Sequence, residues 1–305
     1  MTEITRISIV GAGLMGHGIA HVFASAGFPV AIWDPDDEAL RTVPERVNQI
    51  CVLLDHDPRC ASQIALHSSL KDAVSAANVV IEAAPEKLAM KRHIFAELEQ
   101  ATSPSTILAT NTSVIPISQI AQDVRLKTRV VGTHFWNPPY VIPLVEVVQS
   151  AETSPETLDT TMGLLSRVGM KPVHIKKDTP GFVGNRLQHA LKREAIALVA
   201  SGVCDAETVD TVTKLGFGAR LGVIGPLEQS DYVGLELTYD IHKVLMPYLD
   251  NTPTVHPYLA DKVRRGETGM AVGRGFRQWS PEDAGKVKRR LDRFMARAVK
   301  SPIDE

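Results

Sequence analysis

Gly11, Gly13 and Gly16 form a G-x-G-x-x-G turn directly after the apolar run "RISIV". In such a turn the first glycine permits a tight bend, the second lets a pyrophosphate approach the backbone, and the third lets helix pack on strand. The helix that follows directs its positive end at the phosphates. The next apolar run, "VAIW", ends in Asp34, an acid placed for the adenosine ribose hydroxyls and hostile to a 2′-phosphate. Strand, turn, helix and acid in this order predict an NAD site, with Leu14 and Met15 inside the turn. A purely structural glycine turn is the plain alternative. FAD is disfavoured because the second half holds no second nucleotide unit.

A second group lies in "THFWNPPYVIPLVEV", residues 133–147. Glu146 falls inside an apolar run, and a buried carboxylate is costly unless something pairs with it. The prolines of "WNPPYVIP" prevent ladder pairing and make a rigid join between two strand-like runs. Such a join can bring Glu146 beside His134. A histidine with one nitrogen held by a carboxylate has its tautomer fixed and its basicity raised. Its other nitrogen can then take a proton from a hydroxyl as hydride leaves the carbon. A solvated turn histidine is the other reading of that spacing alone. Ser113 closes the polar triplet Asn111-Thr112-Ser113 at a strand end, where ligands bind in open α/β sheets. Its plain role is to cap the helix "PISQIA".

The elements that must position these groups follow from pattern. Short β-rich runs alternate with helical stretches: "RISIVGAG", "PVAIWD", "NVVIEAAP", "TILATNTS", "RVVGTHF", "VEVVQ" and "PVHIKKD". That alternation predicts a parallel, helix-covered sheet, a Rossmann-type doubly wound α/β fold. From Thr179 onward strand signals almost vanish. "DTPGFVGNRLQHALKREAIALVASG" reads as one helix, capped by Asp178 or Thr179 and stopped by Gly202, with Val183, Leu187, Leu191, Ala195 and Leu198 on one stripe. The expected domains are residues 1–180, binding NAD, and 181–305, mostly helical.

With a net charge of −2 the chain is a poor general binder of nucleic acid or membrane surface. No apolar run reaches the roughly 18 residues a membrane span needs. The first strand begins at Arg6, which leaves no room for a signal peptide. Cys51, Cys60 and Cys204 show neither metal-ligand nor disulfide spacing, so no metal and a reducing cytoplasm are expected.

Over nearly its whole length the sequence resembles the L-3-hydroxyacyl-CoA dehydrogenase family. The motifs are "TNTSVIPISQIA", "HFWNPPYVIPLVEV", "DTPGFVGNRL", "GVIGPLEQSDYVGL" and "GRGF", in that order. The resemblance implies that His134 and Glu146 are the catalytic dyad, and that Ser113 and Asn185 bind or polarise substrate oxygens. It also implies a substrate cleft between domains and a homodimer formed by the second domain. It places Glu86, Lys91 and Asn111 with the cofactor. For Glu86 and Lys91 a helix cap and a solvated lysine are equally open. Asn185 could simply be polar at the domain junction. Asn137 falls to the substrate side, although holding the turn is its more natural role.

Two departures bear on substrate. In acyl-CoA-using members the segment after the second strand carries a lysine-rich helical excursion that meets CoA. Here residues 35–66 hold no lysine and three arginines against six acids, a poor balance for several phosphates. The join "GFGARLGVIGP", with Arg220, resembles members acting on free hydroxy acids, of gulonate or pyridine-carboxylate type. Arg220 could hold a carboxylate through its planar fork, or make a surface ion pair. Ala271 and Val272 replace a usual lysine and small hydroxyl residue, which also weakens the CoA case. Against it, "YDIHKVLMPYLDNTPTVHPYLADKVRRG" keeps the layout of short-chain hydroxybutyryl-CoA members. The basic run "KVKRRLDRFMARAVK" is a solvated helix face.

The expected activity is NAD-dependent oxidation of the hydroxyl of a 3-hydroxyacyl-CoA or a small hydroxy acid. A free hydroxy carboxylate without CoA is the alternative. A 6-phosphogluconate-type enzyme would need a lysine early on the interdomain helix, where Lys192 comes late. A non-catalytic crystallin-like role would not require the His134, Glu146, Ser113 and Asn185 set.

Overall fold

The computed structural model describes residues 4–300. It divides into two compact units, residues 1–185 and 186–305.

The first unit is built on β1 (Ile7–Val10), β2 (Val30–Trp33), β3 (Ile64–His67), β4 (Val79–Glu82), β5 (Ile107–Thr110), β6 (Val130–Phe135), β7 (Leu144–Val148) and β8 (Lys171–Ile175). They form one sheet in the order β3-β2-β1-β4-β5-β6-β7-β8, parallel except for the antiparallel β6–β7 pair. β1, β4 and β5 are wholly buried, which is why they read as continuous apolar runs rather than alternating ones. The chain leaves β1 toward β2 and β3, then returns to β4 on the other side. The crevice at the carboxyl ends of β1 and β4 is therefore the topological switch point where such sheets take ligands.

Helices cover both faces. Ile7 and Ile9 of β1 pack with α1 (Gly16–Ser25), α3 (Val43–Leu54) and α7 (Pro155–Arg167), while a short α2 (Asp37–Arg41) precedes α3. Val10 turns to the opposite face, with α4 (Leu70–Val74), α5 (Leu88–Ala101) and α6 (Ile117–Ile120). β3 adds an edge strand absent from the sequence reading. It is half-exposed, and its apolar run is only three residues, Ile64–Leu66.

The helix expected from Asp178 starts later. α8 runs Gly184–Ala200, Asp178 and Thr179 are irregular, and residues 180–183 are turn. Asp178 caps a different helix: its carboxylate accepts from Ile117 N, Ser118 N and Ser118 Oγ, at the start of α6. Gly202 follows α8 in the left-handed region (φ 76°), as its stop role requires.

The second unit continues α8 and adds α9 (Ala206–Leu215), α10 (Pro226–Val233), α11 (Leu235–Leu245), α12 (Pro257–Arg264) and α13 (Pro281–Lys300), with no ladder strand among its described residues. Among the described residues no helix is long and apolar enough to cross a membrane.

Candidate active site

The glycine turn is held by contacts that admit no side chain at two positions. A Cβ on Gly16 would lie 1.8 Å from the Gly11 carbonyl oxygen, and one on Gly11 would lie 2.8 Å from Ala83 O. Gly11 also has φ 107°, a conformation glycine adopts without cost. Gly13 differs: a Cβ there would meet nothing within 4 Å, so its backbone faces open space. Met15 precedes α1 without a side-chain cap and no acid occupies the first turn, so N–H groups of the first turn, apart from that of His17, which donates to Gly13 O at 3.4 Å, remain available to an anion. Asp34 Oδ2 accepts from Ala12 N at 2.6 Å and Oδ1 from Asp36 N at 2.8 Å. A carboxylate has about four acceptor positions, so two remain for ribose hydroxyls. An open glycine, an uncapped helix start and an acid at the end of β2 fit a dinucleotide.

β6 and β7 bring the second group together by register. His134 pairs directly with Glu146, and Nδ1 lies 2.7 Å from Glu146 Oε2. Both residues are buried. The other carboxylate oxygen, Oε1, accepts from Val183 N and Gly184 N, each at 3.0 Å. These are the N–H groups at the start of α8. Burial alone would push the Glu146 carboxyl up. The bond from His134 and the two backbone N–H groups outweigh it and hold the carboxyl below its usual range. An ionised Glu146 only accepts, so His134 Nδ1 carries the proton and Nε2 presents its lone pair.

Local backbone makes this possible. Gly181 (φ 77°) and Phe182 (φ 50°) both sit in the left-handed region, and for an aromatic residue that is a strained position. The bend turns Val183 N and Gly184 N onto Glu146. It also buries Phe182, with its ring 5.8 Å from that of His134. Trp136 closes another side, 5.2 Å from His134 by ring centres. A Cβ on Gly184 would lie 2.3 Å from the Trp136 ring, so that position must be glycine. The Trp136 indole N–H is buried without a partner.

A third network sets the loops beside the switch point. Glu82, at the end of β4, is fully buried and accepts from Lys91 Nζ (2.7 Å), Ala84 N (2.7 Å) and Thr110 Oγ1 (2.6 Å). Lys91 is 1% exposed, and its ammonium also reaches Ala84 O at 3.2 Å and Glu86 at 3.5 Å. Its donors are engaged inside the protein, so Lys91 anchors these loops rather than standing in solvent. Glu86 Oε1 accepts from Thr112 Oγ1, Ser113 N and Val114 N, which fixes the Ser113 loop. Glu86 thus caps that segment from across the turn rather than its own helix.

Asn185 Nδ2 donates to Ser113 O at 2.9 Å, joining the start of α8 to the same loop. Asn111 is buried and its Oδ1 accepts from Phe135 N, tying β5 to the residue after His134. Asn137 is exposed in the turn, before a cis bond to Pro138. Arg220 is exposed in a 3₁₀ turn of the second unit (Phe217–Arg220). Glu82 escaped the sequence reading although it carries the signal that exposed Glu146: an acid at the end of an apolar run. The left-handed Phe182 has no such signature.

A doubly wound sheet with a dinucleotide turn at its switch point defines a nucleotide-dependent oxidoreductase of the α/β class. The family model for the 3-hydroxyacyl-CoA dehydrogenase NAD-binding domain matches residues 6–179, and that for the C-terminal domain matches residues 181–279. The chain belongs to the 3-hydroxyacyl-CoA dehydrogenase family, and its cofactor is NAD. A 5-formyl-3-hydroxy-2-methylpyridine 4-carboxylate 5-dehydrogenase of Mesorhizobium japonicum is 35% identical over 92% of each chain. A probable 3-hydroxybutyryl-CoA dehydrogenase of Bacillus subtilis is 38% identical over 90% of this chain and 97% of its own. Among solved structures, a 5-formyl-3-hydroxy-2-methylpyridine 4-carboxylic acid 5-dehydrogenase, described as an NAD+-dependent dismutase, superposes with a TM-score of 0.90. It is 31% identical and covers 98% of this chain and 99% of its own.

Proposed function

We propose that the protein oxidises the hydroxyl of a small hydroxy acid bearing a free carboxylate, with His134 as general base. His134 Nε2 takes the hydroxyl proton while the carbon-bound hydrogen leaves as hydride and a C=O bond forms. Bound NAD supplies the hydride acceptor. Glu146 holds the imidazole in the right tautomer and stabilises the imidazolium as it forms. Ser113 Oγ and the remaining amide groups of Asn185 position the substrate oxygen. The His134–Glu146 contact at 2.7 Å carries this reading.

The choice of a free acid rests on residues 35–66. With no lysine there, CoA phosphates would depend on three arginines, and all three are already committed. Arg41 pairs with Glu38, and Arg59 pairs with Asp57 at 2.6 Å. Arg46 donates to Ala12 O and Ala39 O. Arg220, by contrast, has no side-chain partner among the described residues, which suits a carboxylate ligand. The 38% identity to a probable 3-hydroxybutyryl-CoA dehydrogenase favours a second reading, a 3-hydroxyacyl-CoA substrate.

An NAD-coupled panel separates the two. Free hydroxy acids, pyridine carboxylates included, should turn over faster than 3-hydroxyacyl-CoA thioesters, and the reverse order overturns the free-acid reading. Arg220→Ala should raise KM for free acids about tenfold, near 1.4 kcal/mol, and leave thioesters unaffected. The reading includes a cytoplasmic homodimer. Leu227, Tyr232 and Tyr248 of the second unit are 80–83% exposed, an apolar surface of the kind a second copy covers. Light scattering should return twice the chain mass.

A further inference from the structure

His21 on α1, Cys51 on α3 and Cys60 in the 3₁₀ turn after α3 (Pro58–Gln63) meet in the interior of the first unit. All three are buried, and one ligand atom from each lies within 4.8 Å of the others. The Cys51 and Cys60 sulfurs are 2.8 Å apart. His21 is 1% exposed, yet neither of its ring nitrogens has a hydrogen-bond partner. Orphaned buried polar atoms are costly, and here two belong to a side chain beside two thiols.

We infer that His21, Cys51 and Cys60 form a structural site for a thiophilic divalent ion of the zinc class. Imidazole nitrogen and two thiolate sulfurs are the donors such an ion selects. Two thiolates and a doubly charged cation sum to zero, which suits a buried, largely apolar setting. Bound to one zinc at about 2.3 Å each, the two sulfurs would stand about 3.8 Å apart, so they must open by about 1 Å from their present separation. His56 stacks its exposed ring on that of His21 at 5.4 Å between centres, so a water molecule rather than this ring would complete the four positions. A Cys51–Cys60 disulfide is the competing use of the two sulfurs, but it leaves both His21 nitrogens without partners. Spacing along the chain hides the site, because its ligands come from three elements that only the fold brings together.

The test uses the full chain, made in zinc-supplemented medium and freed of any metal-binding tag. Elemental analysis after passage over chelating resin should give about one zinc per chain. Cys60→Ser and His21→Phe should carry far less, and Cys204→Ser should keep it. Because a buried ligand variant could fail to fold, wild-type protein stripped by chelator is also titrated with Co²⁺. A near-ultraviolet thiolate-to-cobalt charge-transfer band is expected. In denaturant with chelator, a thiol reagent should count all three cysteines as free. Protein with no bound zinc and no cobalt band, metal retained undiminished in folded Cys60→Ser, or a count of a single free thiol would each overturn the site.

Discussion

His134 and Glu146 are direct partners in the antiparallel β6–β7 ladder, and the imidazole meets the carboxylate at 2.7 Å. Directly opposed residues carry Cβ atoms about 5 Å apart, so strand register alone delivers the contact. The far oxygen of Glu146 is held by the first N–H groups of α8, which leaves the carboxylate little freedom to turn away.

That arrangement makes Glu146→Gln informative. The amide keeps the shape but brings no charge to stabilise a protonated His134, and one of its ends must turn an N–H toward a donor. We expect kcat to fall about 10²- to 10⁴-fold, with NAD affinity unchanged by calorimetric titration. A kcat close to that of the wild type would remove Glu146 from the mechanism.

Glu86 ties acid sensitivity to the Ser113 loop. Burial would raise its carboxyl, but Thr112 Oγ1, Val114 N, Lys91 and Ser113 N together hold it below the ordinary range. A folded value below the unfolded one adds stability that is complete above the carboxylate range and is lost as pH falls through it. The Tm difference between wild type and Glu86→Gln should therefore be wide at neutral pH and close as the solution is taken below about pH 4. A pH-independent difference would mean that the charge on Glu86 contributes nothing to holding the loop.

Much of this site is written locally. The glycine turn and Asp34 are read from a short stretch because strand, bend and helix are consecutive. Glu146 betrays itself as an acid in an apolar run, and a proline-rich join points to His134. What the sequence hides is reached through the fold. Lys91 reads equally as a cofactor-side or a solvated lysine, and α5 turns it inward onto Glu82 of β4. Asp178 sits just before a proline, as a helix cap would, but serves α6, sixty residues earlier. The edge strand β3 holds only the three-residue apolar run Ile64–Leu66, too short to stand out, and neither of its faces is fully buried.

The Glu82–Lys91 pair gives a sharp stability test. Both side chains are almost wholly buried, and removing one partner strands the other charge away from water. Lys91→Met should cost about 3–5 kcal/mol by denaturant unfolding. Adding Glu82→Gln to it should recover a large part of that loss, since the uncompensated charge is gone. A double variant no more stable than the single one would place the cost in packing rather than charge.

Two glycines of the same turn should fail in different ways. A Cβ on Gly16 meets the Gly11 carbonyl at 1.8 Å, so Gly16→Ala must distort the turn and should destabilise by about 1–3 kcal/mol or more. A Cβ on Gly13 meets nothing within 4 Å in the protein alone. Gly13→Ala should therefore melt like the wild type, while its methyl group occupies space a pyrophosphate needs. We expect KM for NAD to rise about tenfold or more, at least 1.4 kcal/mol of lost binding. Melting curves and NAD saturation curves on the two variants separate the effects. A Gly13→Ala protein with normal NAD affinity would mean that the pyrophosphate does not pass over this turn.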